Sequence, residues 1–307
     1  MAVVILAYLA IYVIWGSTFF AIRVALGSIP PLAMMGVRCT IAGALLVSVA
    51  LIRGERPPLR QWQAGVAAGA VMFGLPYAAL GWAETRIASG MAALLVATLP
   101  LWLVIIEWSR SGRPSARTLA GLGIGMTGVV VLVADGVSVP ASLAPMAAIV
   151  AGELAWALGS VYLQPQLPRP VTLNAGMPLA FGGLLLLAAS ALVGEWHRFD
   201  VRAVTSASLA ALGYLIVFGS IVAFSAYVFL LRHATASRVS THAYVNPLIA
   251  VALGVAVGGE PLTGSIVAAA IVIASGVALV LGSRPSDARL KEPLPAWRPM
   301  RAAVHER

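Results

Sequence analysis

Long apolar runs recur along almost the whole chain, separated by short segments that carry most of the arginines and prolines. A run of about 20 apolar residues is what a helix needs to cross a bilayer. A single segment in lipid satisfies its own backbone only as a helix, and the alternation of barrel strands is not seen. The fold class is therefore predicted to be all-α integral membrane. The ten predicted spans are Val3–Leu26, Leu32–Ile52, Trp62–Trp82, Ser89–Ile106, Thr118–Ala134, Leu143–Leu163, Leu173–Val193, Ser208–Leu231, Val239–Val257 and Ser265–Leu281.

The composition excludes several classes of function. Only 10% of the residues are charged, whereas a soluble domain has roughly 25%. The loops leave no room for a soluble catalytic domain, and the sequence contains no zinc-protease, nucleophile-elbow or phosphate-loop motif. Cys39 is the single cysteine, and the four histidines are scattered. We therefore predict no catalytic residues, no cofactor, no metal site and no enzymatic activity.

An internal duplication is visible in the loops between the runs. The stretch ETRIASGMAALLVATLPLW is echoed about 147 residues later by LLRHATASRVSTHAYVNPLIA, so that Pro100 meets Pro247. Further on, Gly112-Arg113-Pro114 meets Gly259-Glu260-Pro261. Landmarks that recur in the same order indicate a repeated structural unit.

Each copy of the repeat contains five predicted spans. Because five is odd, the second copy must cross the membrane in the opposite sense. Residues 1–135 and 143–283 are therefore predicted to be two inverted-topology five-helix repeats. This architecture is typical of secondary transporters, whose substrate site lies near mid-membrane between the repeats.

The basic residues predict the orientation. Fifteen of them fall in the loops and tail on one side of the membrane, and three fall on the other. The richer side is expected to be cytoplasmic and to hold both termini. Residues 284–307 contain four prolines and six basic residues, which predicts a disordered cytosolic tail beside anionic lipid. The net charge of +9 is thus matched to the lipid bilayer and not to nucleic acid.

Glu153 is the sharpest candidate for function. It lies near the middle of a predicted span, where a carboxylate is costly and should face the bundle interior or a cavity. Trp156 lies one helical turn away on the same face. Matching Trp15 with Trp156 places Tyr12 opposite Glu153. We predict that Glu153 binds a substrate amine or couples transport to protons; the alternative is a protonated side chain bonded to a neighbouring helix.

Two prolines within predicted spans mark a second group of candidates. Pro100 and Pro247 are expected to kink their helices at equivalent places and to act in gating. His242, Tyr244 and Asn246 precede Pro247, and 242 and 246 share a helix face. We predict that all three bind substrate, although a buried histidine is often structural.

Aromatic side chains at mid-depth suit a flat organic substrate or a cation, and the alternative is that they are core residues. The aromatic residues predicted to bind substrate are Tyr12, Trp15, Tyr77, Trp102, Trp156 and Tyr244. Arg38 could hold a substrate carboxylate, pair with Glu153, or serve a structural role, which its glycine-rich surroundings favour.

Several motifs together resemble the EamA-type transporters of the drug/metabolite transporter superfamily. They are Trp15-Gly16-Ser17, Arg38, the Ala-Ser…Pro pattern of the fourth and ninth spans, Gly259-Glu260-Pro261, and the GVVVL and GVALVL segments. The resemblance implies ten helices in a bacterial inner membrane, with the fifth and tenth behind a central cavity. It also implies export of small metabolites, commonly amino acids, including aromatic ones. The first copy departs from the family by carrying Arg113 where an acidic residue is common.

The expected function is that of a secondary transporter, acting as a monomer, that exports amino acids from the cytoplasm by alternating access. The alternatives are a multidrug or other-metabolite exporter of the same fold, a membrane-embedded enzyme acting on lipid-linked substrates, and a channel. Paired catalytic residues would indicate the enzyme, and a continuous polar stripe would indicate the channel; the sequence shows neither.

Overall fold

The computed structural model describes residues 2–87, 89–111, 114–136, 143–258 and 264–282, which form helices and loops and no β-strand. The predicted tail and the Gly112-Arg113 and Gly259–Pro261 motif residues lie outside these ranges. The helices of the first half are α1 Ala2–Leu26, α2 Pro31–Ile52, α3 Leu59–Ala68, α4 Leu75–Glu84, α5 Ser89–Val96, α6 Leu99–Ser111 and α7 Ala116–Gly136. Those of the second half are α8 Leu143–Leu158, α9 Val171–Leu192, α10 Glu195–Arg198, α11 Ser206–Tyr214, α12 Ala223–Leu230, α13 Ala236–Val239, α14 His242–Gly258 and α15 Gly264–Gly282.

Six helical stretches in the described part of the chain are long and apolar enough to cross a membrane, which makes the chain a multi-pass membrane protein. They are Ala2–Leu26, Pro31–Ile52, Leu59–Glu84, Leu143–Gln166, Val171–Leu192 and Ser206–Leu230. They coincide with the first three predicted spans of each repeat. The fifth and tenth predicted spans coincide with α7 and α15.

The fourth and ninth predicted spans are not continuous helices, so that part of the prediction was wrong. The fourth is divided between α5 and α6 at Ala97–Thr98, and the ninth between α13 and α14 at Ser240–Thr241. Pro100 falls in the first turn of α6, where a missing backbone N–H costs little. Pro247 lies inside α14, after the break.

Three helical stretches contain a π-helical segment, in which an extra residue per turn changes the register of the side chains. These segments are Gly69–Gly74, Gly159–Leu163 and Leu215–Val222. The first and third occupy matching places in the third spans of the two repeats. Such segments occur often at functional sites, and two of them border the cavity described below.

The crossing of α2 and α9 joins the two halves through four glycines spaced 140 residues apart in pairs: Gly36, Gly43, Gly176 and Gly183. A Cβ on Gly43 would meet the backbone of Ala180, and one on Gly183 would meet the backbone of Thr40. The two contacts are equivalent, since each partner also lies 140 residues from its counterpart. The helix backbones approach closely here because neither position has a side chain.

Paired helices from the two repeats run antiparallel. Along α2, Gly36 meets Leu187 and Gly43 meets Ala180, so the numbering rises in one helix as it falls in the other. The pair α7 and α15 packs through Gly121 and Gly276 in a similar close contact.

Two glutamates from equivalent loops bind the first turns of these crossing helices. The Glu195 carboxylate accepts from the backbone N–H groups of Leu32 (3.2 Å) and Ala33 (2.9 Å) in α2. It also accepts from the Ser190 hydroxyl at 2.7 Å. Glu55, 140 residues earlier, accepts a single bond of 3.3 Å from the Thr172 hydroxyl in α9. Carboxylates at helix N-termini satisfy free N–H groups and complement the helix dipole.

Two arginines from predicted cytoplasmic loops lie near each other at one end of the bundle. Partial burial and the nearby charge of Arg169 lower the pKa of Arg232. The remaining packing places α1 against α11, α12 and α14, and α8 against α4, α5 and α6. The space between these groups of helices is the candidate site.

Candidate functional site

A central cavity lies between the first and second halves of the chain. It holds about 570 Å³ of empty space including its mouth, within the range of small-molecule sites. Its lining comes from α1, α2, α4, α5, α6, α8 and α14. The lining residues are Trp15, Thr18, Phe19, Ile22, Arg38, Pro76, Tyr77, Leu80, Val96, Leu99, Glu153, Trp156, His242 and Asn246.

Three aromatic rings form one wall of the cavity. The Trp15 and Trp156 rings meet edge to face with centroids 6.0 Å apart, and Tyr77 stacks on Trp156 at 6.3 Å with planes 8° apart. Each indole N–H is held by a hydrogen bond. Trp15 Nε1 donates to the Gly219 carbonyl at 3.0 Å, and Trp156 Nε1 donates to the Tyr227 hydroxyl at 3.2 Å. The wall is therefore a fixed apolar surface.

Buried aromatic packing continues from this wall toward the end of the bundle that holds the N-terminus. Phe224 packs against both Trp156 and Tyr227, with centroids 5.9 Å from each ring. The Tyr227 hydroxyl is also 2.8 Å from Ser160 Oγ. Nearer the N-terminus of α1, the Tyr12 hydroxyl bonds Thr241 Oγ1 at 2.7 Å. These contacts close the cavity on that side.

Glu153 lies on α8 in the cavity wall. Its side chain is 9% exposed and makes no hydrogen bond or ion pair within the described structure. Gly152 lets α8 approach closely there, since a Cβ would lie 3.0 Å from Pro76 Cα. A carboxylate at mid-helix with no protein partner is open to a cation, a donor group or a proton.

Arg38 lies on α2 and is the second charged residue of the lining. It is 2% exposed, and its Nε donates to Ser220 Oγ at 2.8 Å. Its guanidinium carbon lies 5.1 Å from the Tyr77 ring centroid, within cation–π range. It forms no ion pair with Glu153, which was one of the alternatives for its role.

His242 and Asn246 line the cavity from α14, as their shared helix face predicted. The His242 ring nitrogen Nδ1 lies 2.9 Å from the Val239 carbonyl, which can only accept, so Nδ1 carries a proton. The His242 ring also packs on Trp15 with centroids 4.7 Å apart. With its amide nitrogen turned toward acceptors, Asn246 donates to the carbonyls of His242 (2.8 Å) and Tyr12 (3.3 Å). These bonds brace α14 against α1.

Three of the predicted substrate-binding residues lie outside the cavity lining. Tyr12 is at the closed end, in its bond to Thr241. Trp102 packs beside the main aromatic core, and its buried Nε1 has no hydrogen-bond partner. Tyr244 is fully buried between α14 and α7, with its ring 3.1 Å from where a Cβ on Gly125 would lie. The predicted gating residues Pro100 and Pro247 also lie outside the lining.

Sequence reasoning missed Glu84 and most of the apolar lining. Both Glu84 carboxylate oxygens are buried without a hydrogen-bond partner. Glu84 lies one turn beyond Leu80 of the cavity wall, and the charges of Arg38 and Arg23 act on it. An acidic residue at the end of an apolar run was an available signal. Residues such as Val96 and Leu99 carried none, because lipid-facing and cavity-facing positions are alike in composition. Within the described ranges, no cluster of three or more histidine, cysteine or acidic side chains could hold a metal ion.

Comparison with known proteins agrees with this architecture. The model of the EamA-like transporter family matches residues 2–134 and 143–282. The chain is 37% identical over 283 residues to the "Uncharacterized inner membrane transporter YedA" of Escherichia coli K12, covering 88% of this chain and 90% of that one. It is 24% identical over 290 residues to the "Probable amino-acid metabolite efflux pump" of Salmonella typhimurium, covering 88% and 91%.

The fold has a counterpart among solved structures. One crystal structure matches with a TM-score of 0.71 and 22% identity, covering 90% of this chain and 96% of that chain. The two family matches, one to each half, account for the internal duplication seen in the sequence. The chain belongs to the EamA-like transporter family.

Proposed function

We propose that this protein is a secondary transporter that exports small metabolites, amino acids first among them and aromatic ones included, by alternating access through the central cavity. The observation that carries the proposal is the cavity itself, which both halves of the chain line with aromatic rings and buried charges. Aromatic faces suit an apolar or flat substrate, and a buried carboxylate suits an amine or a transported proton. The Salmonella relative named as an amino-acid metabolite efflux pump supports this substrate class.

The proposal includes ten membrane crossings as two inverted repeats, in a bacterial inner membrane with both termini cytoplasmic. The antiparallel packing of α2 on α9 supports the inversion, because the two helices are second in their repeats. The excess of basic residues on the side of the termini supports the orientation. The E. coli relative named as an inner membrane transporter supports the location.

The cavity also suggests how access is controlled. The lining residues of α1 run from Trp15 toward its C-terminal end, whereas Tyr12 and Thr241 close the opposite side. The proposed cycle opens this closed side toward the cytoplasm while the other side seals. Glu153 is the proposed coupling group, releasing a proton or a substrate amine as access changes.

The test is transport of labelled amino acids by the purified protein in liposomes, as uptake and as efflux, with and without a pH gradient. We expect flux above that of empty liposomes for at least one apolar or aromatic amino acid. Flux of organic cations or dyes without any amino acid would instead identify a multidrug exporter of the same fold. Glu153→Gln is expected to abolish the pH dependence of flux, and unchanged pH dependence would remove the coupling role.

A further inference from the structure

The cavity contains two opposite charges that do not neutralise each other. Arg38 on α2 and Glu153 on α8 are the charged residues of the lining apart from His242. Neither forms an ion pair in the described structure, although buried charges are normally paired. Opposite charges attract strongly at low dielectric, so a site that holds them apart suits a ligand with charges of both signs.

The guanidinium of Arg38 is oriented by contacts that leave its outer edge free. Nε donates to Ser220 Oγ, and Gly219 makes room, because a Cβ there would lie 2.9 Å from Nη2. No hydrogen bond from Nη1 or Nη2 forms within the described residues. Two adjacent terminal nitrogens with unused N–H groups match the two oxygens of a carboxylate.

The nearby acid Glu84 does not occupy this edge. Its charge acts on Arg38, but both of its carboxylate oxygens lack hydrogen-bond partners, so the two groups are not in contact. Arg38 therefore has a long-range counter-charge that offsets part of the cost of burial. Its carboxylate-binding edge remains open to the cavity.

The surface between the two charges is aromatic. Arg38 lies over Tyr77, Tyr77 stacks on Trp156, and Trp156 lies one turn from Glu153 on the same helix. A ligand that reached both charges would rest its apolar part against these rings. Tyr77 senses both charges, since Arg38 and Glu153 each act on it electrostatically.

We infer that the cavity selects zwitterions, with Arg38 binding the carboxylate and Glu153 the ammonium group of an amino acid whose side chain lies on the aromatic wall. The inference rests on the proposed function and narrows it. Arg38 becomes a specificity-determining residue, whereas the sequence favoured a structural role. Amines without a carboxylate, and acids without an amine, each lose one of the two charged contacts.

The experiment compares three ligands of similar shape for binding to the purified full-length protein. Phenylalanine has both charges, phenethylamine lacks the carboxylate and 3-phenylpropionate lacks the ammonium group. If another amino acid is transported better, that amino acid and its two corresponding analogues replace them. Wild-type protein is expected to bind each analogue about tenfold to a hundredfold more weakly than the amino acid, the usual effect of losing one charged hydrogen-bonded contact.

The variants assign each loss to a residue. Arg38→Gln is expected to bind phenylalanine and phenethylamine equally while still rejecting 3-phenylpropionate. Glu153→Gln is expected to show the opposite pattern. Arg38→Lys keeps the charge without the paired N–H groups, so it should retain a reduced preference for the zwitterion. The matched control is Arg23→Gln, which removes an exposed arginine outside the lining and should leave the wild-type ratios unchanged.

The outcomes separate this inference from the proposed function. If wild-type protein transports phenylalanine but binds phenethylamine as tightly, zwitterion selection is wrong and amino-acid transport stands. If Arg38→Gln weakens all three ligands by the same factor, Arg38 has a structural role and the inference is overturned. If no amino acid is bound or transported while other metabolites are, the proposed substrate class itself fails. Should Arg38→Gln not fold, the wild-type comparison and Arg38→Lys decide the question.

Discussion

The crossing of α2 and α9 and the central cavity use the internal duplication in different ways. At the crossing, the two copies are equivalent: Gly43 contacts Ala180 as Gly183 contacts Thr40. In the cavity, matched positions carry different chemistry. Trp15 and Trp156 correspond across the repeats, but Tyr12 corresponds to Glu153, and Arg38 corresponds to Pro178 at the 140-residue spacing of the crossing.

The difference separates what the repeat supplies from what function requires. A two-fold frame needs equivalent close contacts, so its glycines are constrained in both copies. A binding site for an asymmetric molecule needs different groups at its two ends, so the charged residues occur in one copy each. Substrate specificity is therefore expected to lie in Arg38 and Glu153, which have no charged counterpart.

The strongest test of the symmetric frame is to add one carbon at its closest contacts. Gly43→Ala and Gly183→Ala each place a Cβ against backbone of the facing helix, which cannot move like a side chain. Both are expected to destabilise the protein by about 3 kcal/mol or more, and by similar amounts because the sites are equivalent. Thermal unfolding in detergent measures this. Gly123→Ala is the matched control, since its Cβ would meet nothing within 4 Å. Unequal losses in the two variants would contradict the equivalence.

The asymmetric cavity is tested by changing one matched pair, Glu153 and Tyr12. Glu153→Gln is expected to lower amino-acid transport at least about tenfold, because a charged contact with substrate is lost. It should leave the melting temperature unchanged or raised, since Glu153 has no protein partner. Tyr12→Phe removes only the bond to Thr241, costing about 1 kcal/mol of stability while transport is retained. Equal losses of transport in the two variants would show that position 153 is not special.

The two loop glutamates give a graded comparison. Glu195→Ala removes three hydrogen bonds at the start of α2 and should cost about 2 kcal/mol. Glu55→Ala removes one bond of 3.3 Å at the start of α9, and we expect a loss below about 1 kcal/mol. Unfolding by SDS titration compares them. A larger loss at Glu55 would contradict the hydrogen-bond account of these caps.

The smallest effects are expected from the paired indoles. Trp15→Phe and Trp156→Phe each keep an aromatic ring in the wall and delete one N–H donor. Each should cost about 1 kcal/mol, and the two values should agree within roughly 0.5 kcal/mol. A much larger loss for Trp156 would show that its stacking with Tyr77, in addition to its N–H, holds the wall together.

How much of this could be predicted from the sequence depended on whether a residue stood out in an apolar run. Glu153, Trp15 and Trp156 did, and they line the cavity together with Tyr77, His242 and Asn246. Tyr244 was chosen beside His242, but the helix turns it toward α7. Trp102 was chosen for its depth alone, which does not distinguish a cavity from a packed core.

The breaks and π-helical segments were beyond sequence reasoning for a different reason. The interruption at Ala97–Thr98 falls in an apolar run with no glycine, and Gly69–Gly74 looks like an ordinary helical stretch. Both conformations depend on contacts with other helices, such as Gly69 against Gly182, which the local sequence does not encode. Glu84 was overlooked because it lies at the end of its helix, where an acidic residue is usually solvated.

The central claim is that the cavity is the transport path and opens to one side at a time. Cys39 is the single cysteine and is buried, so Cys39→Ala supplies a background for labelling one introduced thiol. In that background, Thr18→Cys places the thiol in the cavity wall. A membrane-impermeant maleimide should label it from the periplasmic side of oriented vesicles and not from the cytoplasmic side, and a transported amino acid should change both rates. Equal labelling from both sides, or rates unaffected by every transported substrate, would contradict the account.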